Sequence, residues 1–309
     1  MSLHIVIGAG PVGSATALLL AERGDDVRLL TRSGSGPEHP RIARIRVDAT
    51  DAAALTAQCA GAGTIHQCAG LEYARWATGF PPLIHAAINA AEASGAVLIT
   101  VGNLYGYGEF DGPVDESHPL RPCSDKGRVR TDLWNEALAA HREARIRTAE
   151  VRGSDYLGAR ANSTFTAMVL SAVNAGKVAL YPGDPDVPHS WTAIDDVART
   201  LVAVADEESS WGRAWHVPSA APMSVRALAD LATTLTGASP ARVRRMPSAL
   251  LLAAGLFNAN AREIRELRYQ FASPFVVNSA AATEKFGIAP TSTRAAMKAT
   301  LGVRDTARN

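Results

Sequence analysis

The residues whose types and spacing could do chemistry lie near the start of the chain. Gly8-Ala9-Gly10-Pro11-Val12-Gly13 is a GxGxxG pattern. It stands between a short β-rich run, Leu3 to Ile7, and a helix-like stretch, Val12 to Arg23. Glycines there allow a tight turn, close approach of a pyrophosphate, and close packing of helix on strand. The helix N-terminus then offers its free N–H groups to negative charge. The pattern in this setting predicts dinucleotide binding through Gly8, Gly10, Pro11, Val12 and Gly13. Arg32 and Ser33 end the second apolar run. A carboxylate at that place would hold a ribose 2′-hydroxyl, whereas Arg pairs with a 2′-phosphate in a fork. Arg32, helped by Ser33, therefore predicts NADP(H) in preference to NAD(H). Asp48 follows the third run, and Cys68-Ala69-Gly70 the fourth. Carboxy-terminal ends of parallel strands face the ligand crevice. Asp48 is thus a candidate for the adenine amine, and Cys68, Ala69 and Gly70 for the floor beneath the cofactor. Asp48 is equally suited to capping the helix that starts near Asp51.

The elements that must position these residues follow a β-α rhythm. Short apolar runs at Val27–Leu30, Ile42–Val47, Thr64–Cys68, Ala96–Val101 and Arg147–Arg152 read as strands. Helix-like stretches separate them, including one to about Ala60 with Thr50 or Asp51 as its cap. Another is Pro81 to Ala93, with Pro in its first turn. Repeated crossovers of this kind build a parallel sheet covered by helices. Residues 102–123 are a glycine- and proline-rich loop, a length that is often functional. Ser124 to Ala144 reads as a long helix, Ser163 to Asn174 as another, and Asp196 to Ala205 as a third capped by Asp195. Short strands at Ala214–Val217 and Val243–Met246, and a helix at Arg262–Tyr269, fall in the last third. The expected fold is a doubly wound, mostly parallel α/β sheet of the Rossmann kind. Residues 1–160, with 190–210 returning, form its core. Residues 161–189 and 211–309 form a smaller, partly interleaved substrate-side region.

Composition excludes several classes. The 309 residues carry 31 Lys plus Arg against 30 Asp plus Glu, a net charge of +1, so no bulk charge favours a nucleic acid. No stretch has the apolar length of a membrane span. The 3 Cys, at 59, 68 and 123, form no CxxC pair, which predicts no disulfide framework, no thiolate metal site and a cytoplasmic setting. The 8 His make no close ligand cluster, so no metal is expected.

Over nearly its whole length the chain resembles an atypical extended short-chain dehydrogenase/reductase of the NAD-dependent epimerase/dehydratase type. The likeness lies in Gly8–Gly13, Val47–Asp51, Ile65–Gly70, and Asn103-Leu104-Tyr105-Gly106-Tyr107-Gly108 with Glu116 and Pro119. It continues in Arg152–Gly158, Trp191–Ala198, and Glu284-Lys285-Phe286-Gly287 with Pro290 and Thr291. The family works with Ser, Tyr and Lys, the last two as YxxxK on one helix face. Here Lys126 stands where Tyr is expected, Arg130 where Lys is expected, and Val101 or Asn103 at the Ser place. Arg130 can still supply charge to ribose or phosphate but cannot act as an acid at neutral pH. Lys126, Tyr105 and Tyr107 are the candidate proton-transfer groups. Asn103, Tyr156, Asn162 and Trp191 are candidates for the substrate, with core packing the competing reading of the aromatics. The resemblance implies an oxidoreductase or nucleotide-sugar epimerase/dehydratase-like enzyme with a non-standard site, and Arg32 makes it NADP(H)-dependent. The rival is a non-catalytic NADP(H)-binding sensor or scaffold. A small-molecule substrate is expected. The helices after the fourth and fifth strands would form the interface of a homodimer.

Overall fold

The computed structural model describes residues 2–247, 249–251 and 259–303. The strands, in chain order, are β1 (Leu3–Ile7), β2 (Asp26–Thr31), β3 (Ile42–Arg46), β4 (Thr64–Gln67), β5 (Val97–Asn103) and β6 (Arg147–Gly153). After these come β7 (Asp155–Leu157), β8 (Val178–Tyr181), β9 (Trp191–Ala193), β10 (Ala214–His216) and β11 (Arg242–Arg245). Seven of them form one sheet in the order β10-β6-β5-β4-β1-β2-β3, and every pair in it is parallel. The order reverses between β1 and β4, which is where an open α/β sheet leaves its ligand crevice.

The helices are α1 (Pro11–Glu22), α2 (Ala52–Cys59), α3 (Trp76–Ser94), α4 (Asp125–Arg142), α5 (Ser171–Asn174) and α6 (Ile194–Asp206). Then follow α7 (Val225–Thr236), α8 (Ala259–Glu266), α9 (Tyr269–Ala272), α10 (Ala280–Phe286) and α11 (Thr293–Leu301). Side chains alternate along a strand, so β1 feeds two cores. Ile5 and Ile7 pack with Leu55, Leu83, Ile84 and Leu133 of α2, α3 and α4. Val6 packs on the other face with Ala17 and Leu20 of α1 and Val197 and Leu201 of α6. Apolar strands with two buried faces are what a helix-covered parallel sheet requires. A third cluster joins Leu157, Phe165, Tyr181 and Trp191 to α7 and Met297 of α11.

Several boundaries differ from expectation. α3 begins at Trp76, with Pro81 and Pro82 inside it rather than at its start. Trp76 and Phe80 are 7% and 0% exposed, and burying them outweighs the two missing N–H donors. The stretch read as one helix from Ser163 opens as a π-helical turn, Phe165–Leu170, before α5. The residue before α6 is Ala193, and Asp195 lies in the first turn instead of capping it. The last expected helix divides into α8 and α9. β7, β8 and β9 are strands that the sequence pattern does not predict.

Two packing details give measurable consequences. A Cβ on Gly13 would lie 2.0 Å from the carbonyl oxygen of Gly8, in rigid backbone. Gly13→Ala is expected to destabilise the fold by at least ~1–3 kcal/mol, read by denaturant unfolding. At the other end of the sheet, His4 Nδ1 lies 3.3 Å from Nε2 of the fully buried His66, with the two rings stacked. Burial, then the neighbouring His4, pushes His66 well below its usual 6.5. The unfolded chain therefore takes up this proton at a higher pH than the folded one. Stability should fall as pH drops below about 6.5, and His66→Leu should flatten that slope.

Candidate active site

The glycine turn combines a forced approach with an open side. Gly8 has φ +94°, and a Cβ there would stand 2.6 Å from the Cα of Ala69. This locks β1 against the segment after β4. Gly10, by contrast, is exposed, with nothing within 4 Å of where its Cβ would be. It is the N-cap of α1 and supplies no side-chain cap, so the first-turn N–H groups are left for an anion. The residues present therefore fit a dinucleotide pyrophosphate at Gly8–Gly13. Ala69 is half-buried and Gly70 exposed beside this turn. Cys68 is buried, and burial pushes its thiol up to about 12, which removes it as a nucleophile. Asp48 is exposed and accepts from the Thr50 N–H and hydroxyl, contacts that hold its carboxyl below the usual range. The cap of α2 is Asp51, which accepts from the Ala54 N–H at 3.0 Å. Of the two roles open to Asp48, capping has thus gone to its neighbour.

Ser124 caps α4 and sets the two cations that follow on one helix face. Lys126 is only 4% exposed. Its Nζ bonds to the carboxylates of Glu263 and Glu266 on α8, and its backbone N–H donates to Glu266 Oε1 at 3.0 Å. One turn later the Arg130 guanidinium lies 4.9 Å from the Trp76 ring centre and 4.3 Å from that of Phe80. Arg130 Nη1 donates to the Val101 carbonyl at 3.3 Å, while its buried Nε has no hydrogen-bond partner. An orphaned donor at the carboxy-terminal end of β5 fits an oxygen of the cofactor's ribose or phosphate.

The loop tyrosines part company. Tyr105 is half-buried, stacks on Trp76 with ring centres 5.7 Å apart, and places its hydroxyl 2.7 Å from that of Tyr73. Tyr107 is 1% exposed, and its hydroxyl sits 2.7 Å from both Arg152 Nη1 and His216 Nε2. Arg152 also pairs with the buried Glu150 at 2.6 Å. Tyr107 therefore belongs to an interior network. Asn103 holds the turn by accepting from the Tyr105 N–H at 3.1 Å. Tyr156 is half-buried, and burial pushes its phenol up to about 12, with Arg130 opposing. Asn162 is exposed, before the π-helical turn. Trp191 is 5% exposed and donates to the Met223 carbonyl at 2.8 Å, as a core residue does. The structure brings together residues the sequence did not single out. These are Tyr73, the acids Glu263 and Glu266, and Asp155 with His189 at 2.8 Å. The three-residue spacing of the two acids was the only available signal, and it is a common one.

No curated protein matches the chain in sequence. Solved structures match nearly end to end, at low identity. The UDP-glucuronic acid 4-epimerase of Bacillus cereus, in complex with NAD, has a TM-score of 0.79 at 16% identity, covering 97% of this chain and 98% of that one. The dTDP-glucose 4,6-dehydratase of Streptomyces venezuelae, a double mutant with NAD bound, gives 0.78 at 20%, covering 99% and 98%. The Bordetella bronchiseptica enzyme WbmH with NAD+ gives 0.75 at 17%, covering 98% of each chain. The preference for NADP(H) drawn from Arg32 is overturned, because each of these holds NAD and the matching family is NAD dependent. Physically, Arg32 is an exposed strand-end charge, and the Ser33 hydroxyl is 2.7 Å from that of Ser35. Neither builds a site for a 2′-phosphate. The family is one of enzymes, so the enzymatic reading holds over the binding-only one. Its model, NAD dependent epimerase/dehydratase, matches residues 4–217, most of the chain, and the chain belongs to that family.

Proposed function

We propose that the chain is an NAD-dependent enzyme acting on a nucleotide sugar, of the epimerase/dehydratase kind, with the YxxxK pair replaced. The observation that carries this is the open glycine turn at Gly10 on the same carboxy-terminal side of the sheet as a buried Lys126 and a half-buried Arg130. NAD, when bound, exchanges a hydride with a substrate carbon. Gly8, Gly10, Pro11, Val12 and Gly13 would receive its pyrophosphate, with Cys68, Ala69 and Gly70 beneath it. Asp48 is available to the adenine, and Arg130 to the ribose or phosphate. Asn103, Tyr156 and Asn162 border the substrate side. Of the three candidate proton-transfer groups, Tyr105 is the half-buried one at the crevice, where its hydroxyl is 2.7 Å from that of Tyr73. Lys126 is held between two carboxylates and Tyr107 is enclosed. The nucleotide-sugar class comes from the matched epimerase and dehydratase.

A cytoplasmic setting and a homodimer belong to the same proposal. All three cysteines are free, and no helix among the described residues is long and apolar enough to cross a membrane. The paired helices α3 and α4 leave an outer groove lined by His85, Ile88, Glu136 and Glu143, where a second copy would seat.

Incubation with NAD and, separately, UDP-glucose, UDP-glucuronic acid and dTDP-glucose tests the function. Conversion of at least one, seen as new sugar-ring signals by NMR, is expected. Failure to bind or convert any of them, with NAD bound, would contradict the nucleotide-sugar reading. Gly10→Ala should fold normally, since its Cβ meets open space, yet weaken NAD at least about tenfold by standing in the pyrophosphate's approach. Calorimetry with NAD checks this.

A further inference from the structure

Tyr73 and Tyr105 come from different elements and meet hydroxyl to hydroxyl at 2.7 Å. Tyr73 belongs to a 3-10 turn, Tyr73–Arg75, that follows the segment after β4. Tyr105 opens the turn after β5. Both strand ends border the ligand crevice. The Lys126 ammonium lies 5.5 Å from the centre of the Tyr73 ring. Trp76 lies between Tyr105 and Arg130, with its indole N–H fixed on the Leu71 carbonyl at 2.9 Å. A phenol thus stands beside the Lys126 side chain, which replaces a tyrosine of the family pattern, and it is supplied from another part of the chain.

We propose that Tyr73 is the catalytic acid/base of this enzyme, with Tyr105 the positioning residue that donates to its oxygen. The inference rests on the reading of this crevice as the NAD site. In the reducing direction, reduced nicotinamide, when bound, would supply a hydride to a substrate carbonyl carbon. The carbonyl oxygen takes the Tyr73 proton: the phenolic O–H bond breaks and an alcohol O–H bond forms. The Tyr73 oxygen is left as a phenolate that accepts the Tyr105 hydrogen bond, and water returns the proton. The reverse direction runs the same exchange backwards, with NAD as the oxidant.

The hydrogen bond within the pair, more than the charges around it, favours Tyr73 as the member that ionises. Lys126 and Arg130 face it from α4, and Asp155 from β7, while Glu263 and Glu266 of α8 offset part of the Lys126 charge. Burial, with Asp155 adding to it, pushes Tyr73 up to about 12, against the Tyr105 hydrogen bond and then Arg130, which lower it. Tyr105 is pushed well above its usual value by burial, then by Tyr73, Asp155 and Tyr269. A phenol with so high a pKa is a poor base but a competent donor to a forming alkoxide.

Fluorotyrosine placed at position 73 of the full chain, followed by fluorine NMR across a pH titration, tests the assignment without turnover. Calorimetry run alongside reports NAD binding. Saturating NAD is expected to move the resonance and lower its midpoint by about one pH unit, a tenfold change in ionisation. Tyr105→Phe, which removes one hydroxyl, is expected to raise the midpoint by a similar amount. NAD bound by calorimetry with the resonance unmoved would overturn the catalytic assignment and leave the cofactor reading standing. A midpoint indifferent to Tyr105→Phe would overturn the positioning role. No NAD binding by the folded protein would overturn the cofactor reading, and the assignment with it.

Discussion

A buried Lys126 and a half-buried Arg130, one turn apart on α4, constrain much of the packing around the crevice. A buried ammonium left unpaired costs several kcal/mol, and breaking a buried pair costs about 3–5 kcal/mol. Lys126 meets that demand by drawing Glu263 and Glu266 onto itself, which ties α8 to the first turn of α4. Arg130 meets it differently, against the faces of Trp76 and Phe80 and the Val101 carbonyl. α3 is thereby fixed to α4 from within, and the aromatic wall that holds Arg130 also orients Tyr105. The same cations stand near Tyr73.

The sheet supplies the frame for this arrangement. β1 divides its side chains between two cores, so its position is fixed from both faces. Gly8 and Gly13 then allow contacts with Ala69 and with each other that any side chain would block. Gly10 contributes by remaining open. Rigid packing on one side and free space on the other are what an anion site at a helix start requires.

The sequence was informative where periodicity and turn chemistry are local. The glycine pattern, the alternation of strand and helix, and the start of a long helix at Ser124 could be read directly, and the cap of α2 was narrowed to Thr50 or Asp51. It misled where packing overrides a local preference, as with Pro81 and Pro82 inside α3. Arg32 misled for a related reason: its type suits a 2′-phosphate, but a strand-end charge in solvent does not select one. The contacts within the candidate site were mostly illegible because they are long-range. Lys126 meets acids 137 and 140 residues away, and Tyr73 meets Tyr105 at a separation of 32. No spacing rule joins such residues, and each taken alone is an ordinary charge or aromatic.

On the proposed reading this crevice holds NAD, with Arg130 as a working cation. A calorimetric titration of the wild-type protein and of Arg130→Met with NAD tests it most directly, with thermal unfolding as the control for folding. Wild type is expected to bind NAD, and Arg130→Met to bind it about tenfold more weakly, ~1.4 kcal/mol, while remaining folded. Equal affinity in the two proteins, or no binding by folded wild type, would contradict the claim.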